Sequence, residues 1–329
     1  YGSLGNGNVG SYNFMELLNV STSGYVINGA LNKYTKCPAV IPNSLTWETS
    51  TSVDLGVDLS MFRNQLRFTG DYYIRKTTDM YTVGMTLPEV FGATSPKGNY
   101  ADMTTNGWEL AVTWKHKFSA GSKPFDYELR ATLHDYYSVI DRYNNSTKSL
   151  SDYYEGMRIG ELWGYKTDGL FQSQDEIKDY VNTIIKSSSN GTVYPGDIKF
   201  VDYNKNGKID YGDKTLDKPG DMVIVGNTEP RYIYSFTLNA DWNSFFVSTF
   251  FQGVMKQNWF PDKESGFWGQ YNRPYNNLPK WHLDNYWTEE NRDAYLPRYA
   301  GYNASVGYGN TVTDRYLQNV GYIRMKSFQ

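Results

Sequence analysis

The chain has 329 residues, a formal net charge of −3 and a pI near 5.7, which excludes the strongly basic surface that nucleic acid requires. Its 30 Tyr, 16 Phe and 9 Trp bring aromatics to 17% of the chain while mean hydropathy stays at −0.61. A soluble core draws its apolar content mainly from Leu, Ile and Val. A surface that is apolar at one level and wet at another uses Tyr and Trp, whose apolar bodies carry polar tips.

Two architectures use such a composition: a membrane β-barrel with aromatic girdles, and a secreted all-β protein with aromatic platforms for sugars. The single cysteine, Cys37, rules out an intrachain disulfide and reads as a packed small side chain. No run of about 18 apolar residues offers a transmembrane helix. The chain opens at Tyr1 without a Met and stops at Gln329 without a terminal motif, so both ends read as cuts in a longer precursor.

Alternation with a period of two recurs along the chain. In 53–59, Val53, Leu55, Val57 and Leu59 alternate with Asp54, Gly56 and Asp58. In 66–75, Leu66, Phe68, Tyr72 and Ile74 alternate with Arg67, Thr69, Asp71 and Arg75. Trp108, Leu110, Val112, Trp114 and Phe118 alternate with Glu109, Thr113, Lys115 and Lys117, and in 127–133 Tyr127, Leu129, Ala131 and Leu133 face away from Glu128, Arg130 and Thr132. In 231–242, Tyr232 to Trp242 alternate with Arg231, Ser235, Thr237, Asn239 and Asp241. The run Phe245–Gly253 follows with Phe246 and Phe250 on the nominally polar face, and Val320–Gln329 is a last strand without a clear face.

The connections decide more than the faces. Gaps near 61–65, 120–123 and 243–244 are short, whereas those at about 79–106, 141–230 and 259–319 are long. Strict short–long alternation predicts an all-β, antiparallel up-and-down transmembrane β-barrel with tight turns on one side and long loops on the other. Long structureless loops count against an ordinary compact domain. The short turns are expected on the periplasmic side and the long loops outside the cell. Leu110, Val112, Phe236 and Leu238 are expected to face lipid, and Arg67, Lys115 and Arg130 the lumen.

The loop 141–230 carries structure of its own. Ser173-Gln174-Asp175-Glu176 has capping-box spacing, with a helix expected over 174–185 and a break at Ser187 to Gly191. Next, Asp202, Asn204, Asn206, Lys208, Asp210 and Asp213 occupy positions 1, 3, 5, 7, 9 and 12 of a calcium loop, with Gly207 at 6 for the sharp turn. In that reading Lys208 gives only its carbonyl and Asp213 closes the sphere of a structural Ca2+ site; the alternative is a polar turn that never sees metal. In 259–308 stand twelve aromatics from Trp259 to Tyr302. Of these, Trp259, Trp268, Tyr271, Trp281 and Trp287 are candidates for contact with a substrate or a lid protein, the alternative being a loop that packs on itself. His116, His134 and His282 have no ligand spacing, and no catalytic motif occurs.

An ordered set of segments resembles the C-terminal half of SusC/RagA-like TonB-dependent transporters. These are Leu45-Thr46-Trp47-Glu48-Thr49, Asp71 to Met80 (DYYIRKTTDM), Asn99 to Met103 followed by Asn106-Gly107-Trp108-Glu109-Leu110, Gly164 to Phe171 (GYKTDGLF), Pro195 to Phe200 (PGDIKF), Phe250-Phe251-Gln252-Gly253 and Tyr322-Ile323-Arg324-Met325-Lys326. Tyr100 departs from the usual Val, and Pro42-Asn43-Ser44-Leu45 interrupts the usual Pro-Asn-Leu. The resemblance implies that the chain is part of a large plugged outer-membrane barrel that imports oligosaccharides or peptides, is not an enzyme, draws energy from TonB through a part preceding Tyr1, and carries a SusD-like surface lipoprotein as lid. The rival reading is a secreted β-sandwich that binds or hydrolyses carbohydrate.

Overall fold

The computed structural model describes residues 1–7, 15, 17–36, 38, 40–41, 45–84, 88, 90, 95–178, 180, 182–183, 193–271, 273, 275–299 and 311–329. Cys37, the segment 187–191 and Tyr302 lie outside them. The chain divides into two units, Tyr1–Arg158 and Ile159–Gln329.

The first unit holds β1 (Gly2–Asn6), β2 (Val20–Ile27), β3 (Ala30–Thr35), β4 (Glu48–Met61), β5 (Leu66–Val83), β6 (Lys97–Ala120) and β7 (Lys123–Arg142). All neighbours pair antiparallel in the order β1-β4-β5-β6-β7, and β2 and β3 form a separate hairpin. β6 runs for 24 residues and β7 for 20, far beyond the usual strand of a soluble sandwich.

Register turns the alternation into two faces. Leu59, Phe68, Val112 and Ala131 stand in one cross-strand row, Val57, Gly70, Leu110 and Leu133 in the next, and Leu55, Tyr72 and Trp108 above them. The opposite face carries the row Ser60, Arg67, Thr113 and Arg130, and the row Gly56, Asp71, Glu109 and His134. Leu110, Val112, Leu55 and Val57 are all exposed. An exposed apolar face of this extent marks contact with lipid or another apolar surface.

That face ends in rings. At the short-turn end, Trp114, His116, Phe118, Phe125 and Tyr127 pack edge to face and stacked, and the Trp114 Nε1–H donates to the Tyr127 hydroxyl at 3.0 Å. Tyr72, Trp108 and Tyr137 lie toward the other end. From Trp108 to Phe118 is about ten residues, roughly 33 Å of strand, the length a tilted strand needs to cross a hydrocarbon layer.

Two boundaries differ from expectation. β5 and β6 continue to Val83 and back from Lys97, so the connection expected at 79–106 is shorter. The cause is a pair of bulges, Thr77/Met80 and Met80/Tyr81, which break the alternation without breaking the pairing. There Asp79 takes a left-handed φ of 55°. Its backbone N–H donates to Asp102 at 2.9 Å, and Arg142 clamps Asp79 and Asp102 at 3.0 and 2.7 Å. The strands before residue 53 lack a period: β1 reads Gly-Ser-Leu-Gly-Asn.

The second unit holds β8 (Glu161–Tyr165), β9 (Thr167–Leu170), α1 (Gln174–Lys178), β10 (Asn182–Thr183), β11 (Ile198–Phe200), β12 (Lys208–Ile209), β13 (Met222–Asn227), β14 (Arg231–Trp242), β15 (Phe245–Lys256), β16 (Asn258–Trp259), β17 (Gln318–Asn319) and β18 (Tyr322–Phe328). β14, β15 and β18 form one antiparallel sheet, while β8–β13, β9–β11, β10–β12 and β16–β17 are two-stranded. The tight turn at Asn243-Ser244 takes left-handed φ values of 45° and 77°, as a two-residue hairpin requires. Phe236 faces Phe251 and Met325, whereas Phe246 and Phe250 stand opposite Asp241 and Thr237 on the other face. The face of the last strand is thereby fixed: Ile323 and Met325 share the side of Phe236.

The helix expected over 174–185 is a single turn ending at Lys178, with Asn182–Thr183 already in a bridge to β12. Its cap is also altered. The Glu176 N–H donates to the Ser173 hydroxyl at 3.2 Å, but the Glu176 carboxylate accepts from the Gln172 N–H at 2.7 Å and from Lys199 at 2.8 Å. These bonds hold the Glu176 carboxyl below the usual range, the Gln172 N–H first.

The resemblance places the apolar face against lipid. An arginine introduced as Phe236→Arg should then cost about 2–4 kcal/mol near the midplane, while Ser235→Arg, one residue along and on the other face, should cost far less. Denaturant midpoints of the full-length barrel in lipid vesicles measure both. Equal losses would refute the two-faced assignment.

Candidate functional site

The acidic loop after β11 is built on its own side-chain oxygens. Asp202 accepts the N–H of Asn206 at 3.1 Å and of Gly207 at 2.9 Å, the fifth and sixth residues of the twelve-residue spacing. Asn204 Oδ1 also accepts from Asn206 N–H at 3.0 Å, and Asn206 Oδ1 from Lys208 N–H at 2.8 Å. Gly207 supplies the left-handed turn at φ +83°. Asp202, Asn204 and Asn206 thus share one turn. The rest of the expected set diverges: Asp210 Oδ1 accepts the Gly212 N–H at 2.8 Å, and Asp213 pairs with Lys218 at 3.2 Å on the surface. Among the described residues, no group of three or more His, Cys, Asp or Glu is gathered that could hold a metal ion. The first three expected ligands therefore share a turn in which their oxygens accept backbone N–H groups, while Asp210 and Asp213 are engaged elsewhere.

The residue that organises this loop was not among those singled out. Asp221 is 0% exposed. Its Oδ1 accepts the N–H groups of Tyr203 at 2.8 Å and Asn204 at 3.2 Å, and its Oδ2 accepts that of Asp210 at 2.8 Å. A buried carboxylate is retained only when such donors replace water. Asp197 repeats the device. It is also 0% exposed, pairs with Arg298 Nε at 2.8 Å and accepts the Tyr194 N–H at 2.9 Å. Each follows a proline and a glycine, Pro195-Gly196 and Pro219-Gly220, and both glycines take positive φ, +88° and +65°. A twice-repeated Pro-Gly-Asp was the sequence signal that could have found them.

The aromatic loop has its own core. Trp268 and Tyr271 are 1% exposed and Trp287 8%, packed with Phe200, Ile209, Leu296 and Tyr316. Tyr271 stacks on Tyr299 at 4.0 Å between ring centres, and Trp287 lies where a Cβ on Gly196 would sit, 2.4 Å away. Three of the five contact candidates are therefore packing residues, because a ring enclosed on all sides meets no partner without loop opening. Trp259 and Trp281 keep exposed edges, at 41% and 40%. His282, with no partner foreseen, is fully buried: Nδ1 meets the Tyr299 hydroxyl at 2.6 Å and Nε2 the Phe267 carbonyl at 2.8 Å. Burial pushes its pKa below the ordinary value, so it is a neutral ring that donates from Nε2 to Phe267 and accepts at Nδ1.

Against this geometry stand the comparisons with known proteins. No family model matches the chain. It is 26% identical over 282 residues to TonB-dependent receptor P39 of Formosa agariphila, covering 76% of this chain and 26% of the relative. It is 27% identical over 246 residues to TonB-dependent receptor SusC of Bacteroides thetaiotaomicron, covering 69% and 23%. The solved RagAB peptide transporter superposes on 99% of this chain, and on 33% of its own, with a TM-score of 0.67 at 18% identity. The chain is SusC/RagA-like. The chain spans about a quarter of the length of the curated relatives. The structural likeness is one of fold: the antiparallel sheets are wall of a transmembrane β-barrel, and the place of this SusC/RagA-like chain is the outer membrane. A soluble β-sandwich is thereby set aside.

Asp221→Ala should strip three charge-assisted bonds and cost the acidic loop about 3 kcal/mol or more. Hydrogen exchange at the amides of Tyr203, Asn204 and Asp210 reports this directly. Unchanged protection at all three would show that the loop does not hang on Asp221.

Proposed function

We propose that this chain is part of the barrel of a TonB-dependent importer that takes oligomeric nutrients, oligosaccharides or peptides, across the outer membrane without chemical conversion. The supporting observation is the wall itself, apolar and girdled on one face and lined on the other by Arg67, Arg130, Asp71 and Glu109 in register. It occurs in a fold shared with a peptide transporter. In this reading the short turns face the periplasm and the long connections the outside. A SusD-like surface lipoprotein is the lid, and TonB supplies the energy through another part of the protein. Trp259 and Trp281 are the aromatic edges left for lid or substrate. The test is extraction of the full-length protein from outer membranes with a mild detergent. A SusD-like lipoprotein should come with it, and uptake of labelled oligosaccharides or peptides by cells should require TonB. Recovery of the protein from the soluble fraction, or alone from membranes whose complexes survive, would overturn the proposal.

A second reading concerns the acidic loop, which we propose as a structural calcium site. It is supported by the twelve-residue spacing and by the Asp202 bonds to the fifth and sixth N–H groups. Calcium would draw Asp213 from Lys218 into the sphere. Millimolar calcium should then slow proteolysis between residues 202 and 213, and Asp202→Ala should abolish the effect. Equal cleavage with calcium and with chelator would rule the site out.

A further inference from the structure

The second unit has an open cleft of about 710 Å³ between the paired strands β8 and β13 and the acidic loop, within the size range of small-ligand sites. One wall is apolar: Trp163 stands directly opposite Ile224 in the β8–β13 register, with Met222 two residues along. Ile224 is 49% exposed, and the facing Tyr203 is 55% exposed. Single exposed apolar residues are ordinary, but here an indole, a phenol and two aliphatic side chains line one concavity.

The facing wall is polar and fixed. Asn204 and Asn206 each commit their amide oxygen to a backbone N–H. Their NH2 groups must therefore point the other way, and neither has a partner among the described residues. Asp210 commits only Oδ1, to Gly212, which leaves Oδ2 as an acceptor. These groups do not need ordering by a ligand, because Asp221 already holds the backbone of Asn204 and Asp210 from beneath. Two carboxylates, Asp210 and Asp217, and one cation, Lys218, line the cleft, a balance that disfavours an anion.

The complementary ligand is neutral, has one face of C–H groups, and carries hydroxyls at its edge that both donate and accept. A pyranose ring has these properties: its C–H face packs on an indole or phenol, and its hydroxyls take amide N–H groups and give to carboxylates. We propose that this cleft binds a sugar unit of a neutral oligosaccharide, with Trp163 and Tyr203 as the packing surface and Asn204, Asn206 and Asp210 as the hydroxyl partners. The proposal does not rest on import, since a site that binds sugar reads out whether or not the sugar is carried across.

The experiment uses the full-length protein in detergent and four neutral probes: cellohexaose, xylohexaose, maltohexaose and mannohexaose. Calorimetric titration should show binding of at least one. Trp163→Ala and Asn204→Asp should each weaken it tenfold or more. Asn204→Asp keeps an oxygen that accepts the Asn206 N–H and replaces the outward NH2 donor by a negatively charged acceptor oxygen. Unchanged hydrogen exchange at the Asn206 amide in that variant therefore separates lost binding from a lost loop. Tyr275→Phe, at an exposed residue outside the cleft lining, should bind as the parent does. The proposal is overturned if none of the four probes binds, if both cleft variants bind as tightly as the parent, or if hexa-alanine displaces the sugar at equal concentration.

Discussion

The structure depends on the hydrogen-bond ladder between neighbouring strands. In hydrocarbon no water can satisfy a backbone N–H or C=O, so a strand survives there only if both its edges are paired. The long antiparallel pairings of β4, β5, β6 and β7 meet that demand along both edges of β5 and β6 by backbone alone, which frees the side chains to serve two solvents. Because the period is two, every residue is committed to one face or the other, and a slip of one residue would exchange Leu110 with Glu109 and Phe68 with Arg67. Lys115–Glu128 and Lys117–Asp126, directly paired across β6 and β7, oppose such a slip from the polar side.

Away from the sheet, folding rests on different chemistry. The connections of the second unit have few long strands, so their backbone groups cannot all be paired by a ladder. Buried carboxylates take part of that duty. Asp221 gathers three N–H groups from two sides of the acidic loop, and Asp197 joins the Pro195–Gly196 turn to Arg298 far along the chain. Around them an aromatic core of Trp268, Tyr271, Trp287 and Tyr316 excludes water. Desolvation is what gives these few polar contacts their strength, and it is also what would make losing one of them costly.

The sheet was legible because its signal is local. Val53 to Leu59, Trp108 to Phe118 and Tyr232 to Trp242 announce their faces residue by residue, and the turns at 61–65, 120–123 and 243–244 fall where alternation pauses. The loops were less legible because their signals are tertiary. Nothing near Trp268 distinguishes a ring that packs inward from one that awaits a partner; the distinction lies in Tyr316 and Phe200, distant in sequence. The twelve-residue calcium spacing drew notice to Asp202 and Asp213, whereas the residue holding the loop together, Asp221, stood outside the motif. A helix expected to run to 185 stops after one turn, since α1 buries no residue of its own and so has no packing to extend it.

The turn between β4 and β5 has a consequence for the order of folding. Phe62, Arg63 and Asn64 follow one another at φ values of 55°, 57° and 65°, with no glycine among them. Each such residue opposes folding by about 1–2 kcal/mol, and within the turn itself the return is the Gln65 N–H to Phe62 carbonyl bond; the Phe62 ring against Trp114 and the Lys115 N–H to Gln65 carbonyl bond need β6 in place. A connection of that kind does not form ahead of its strands. The hairpin must therefore zip from the middle of β4 and β5 toward the turn, so that register is settled by the wall before the chain reverses. This strained turn then closes after the strands it joins.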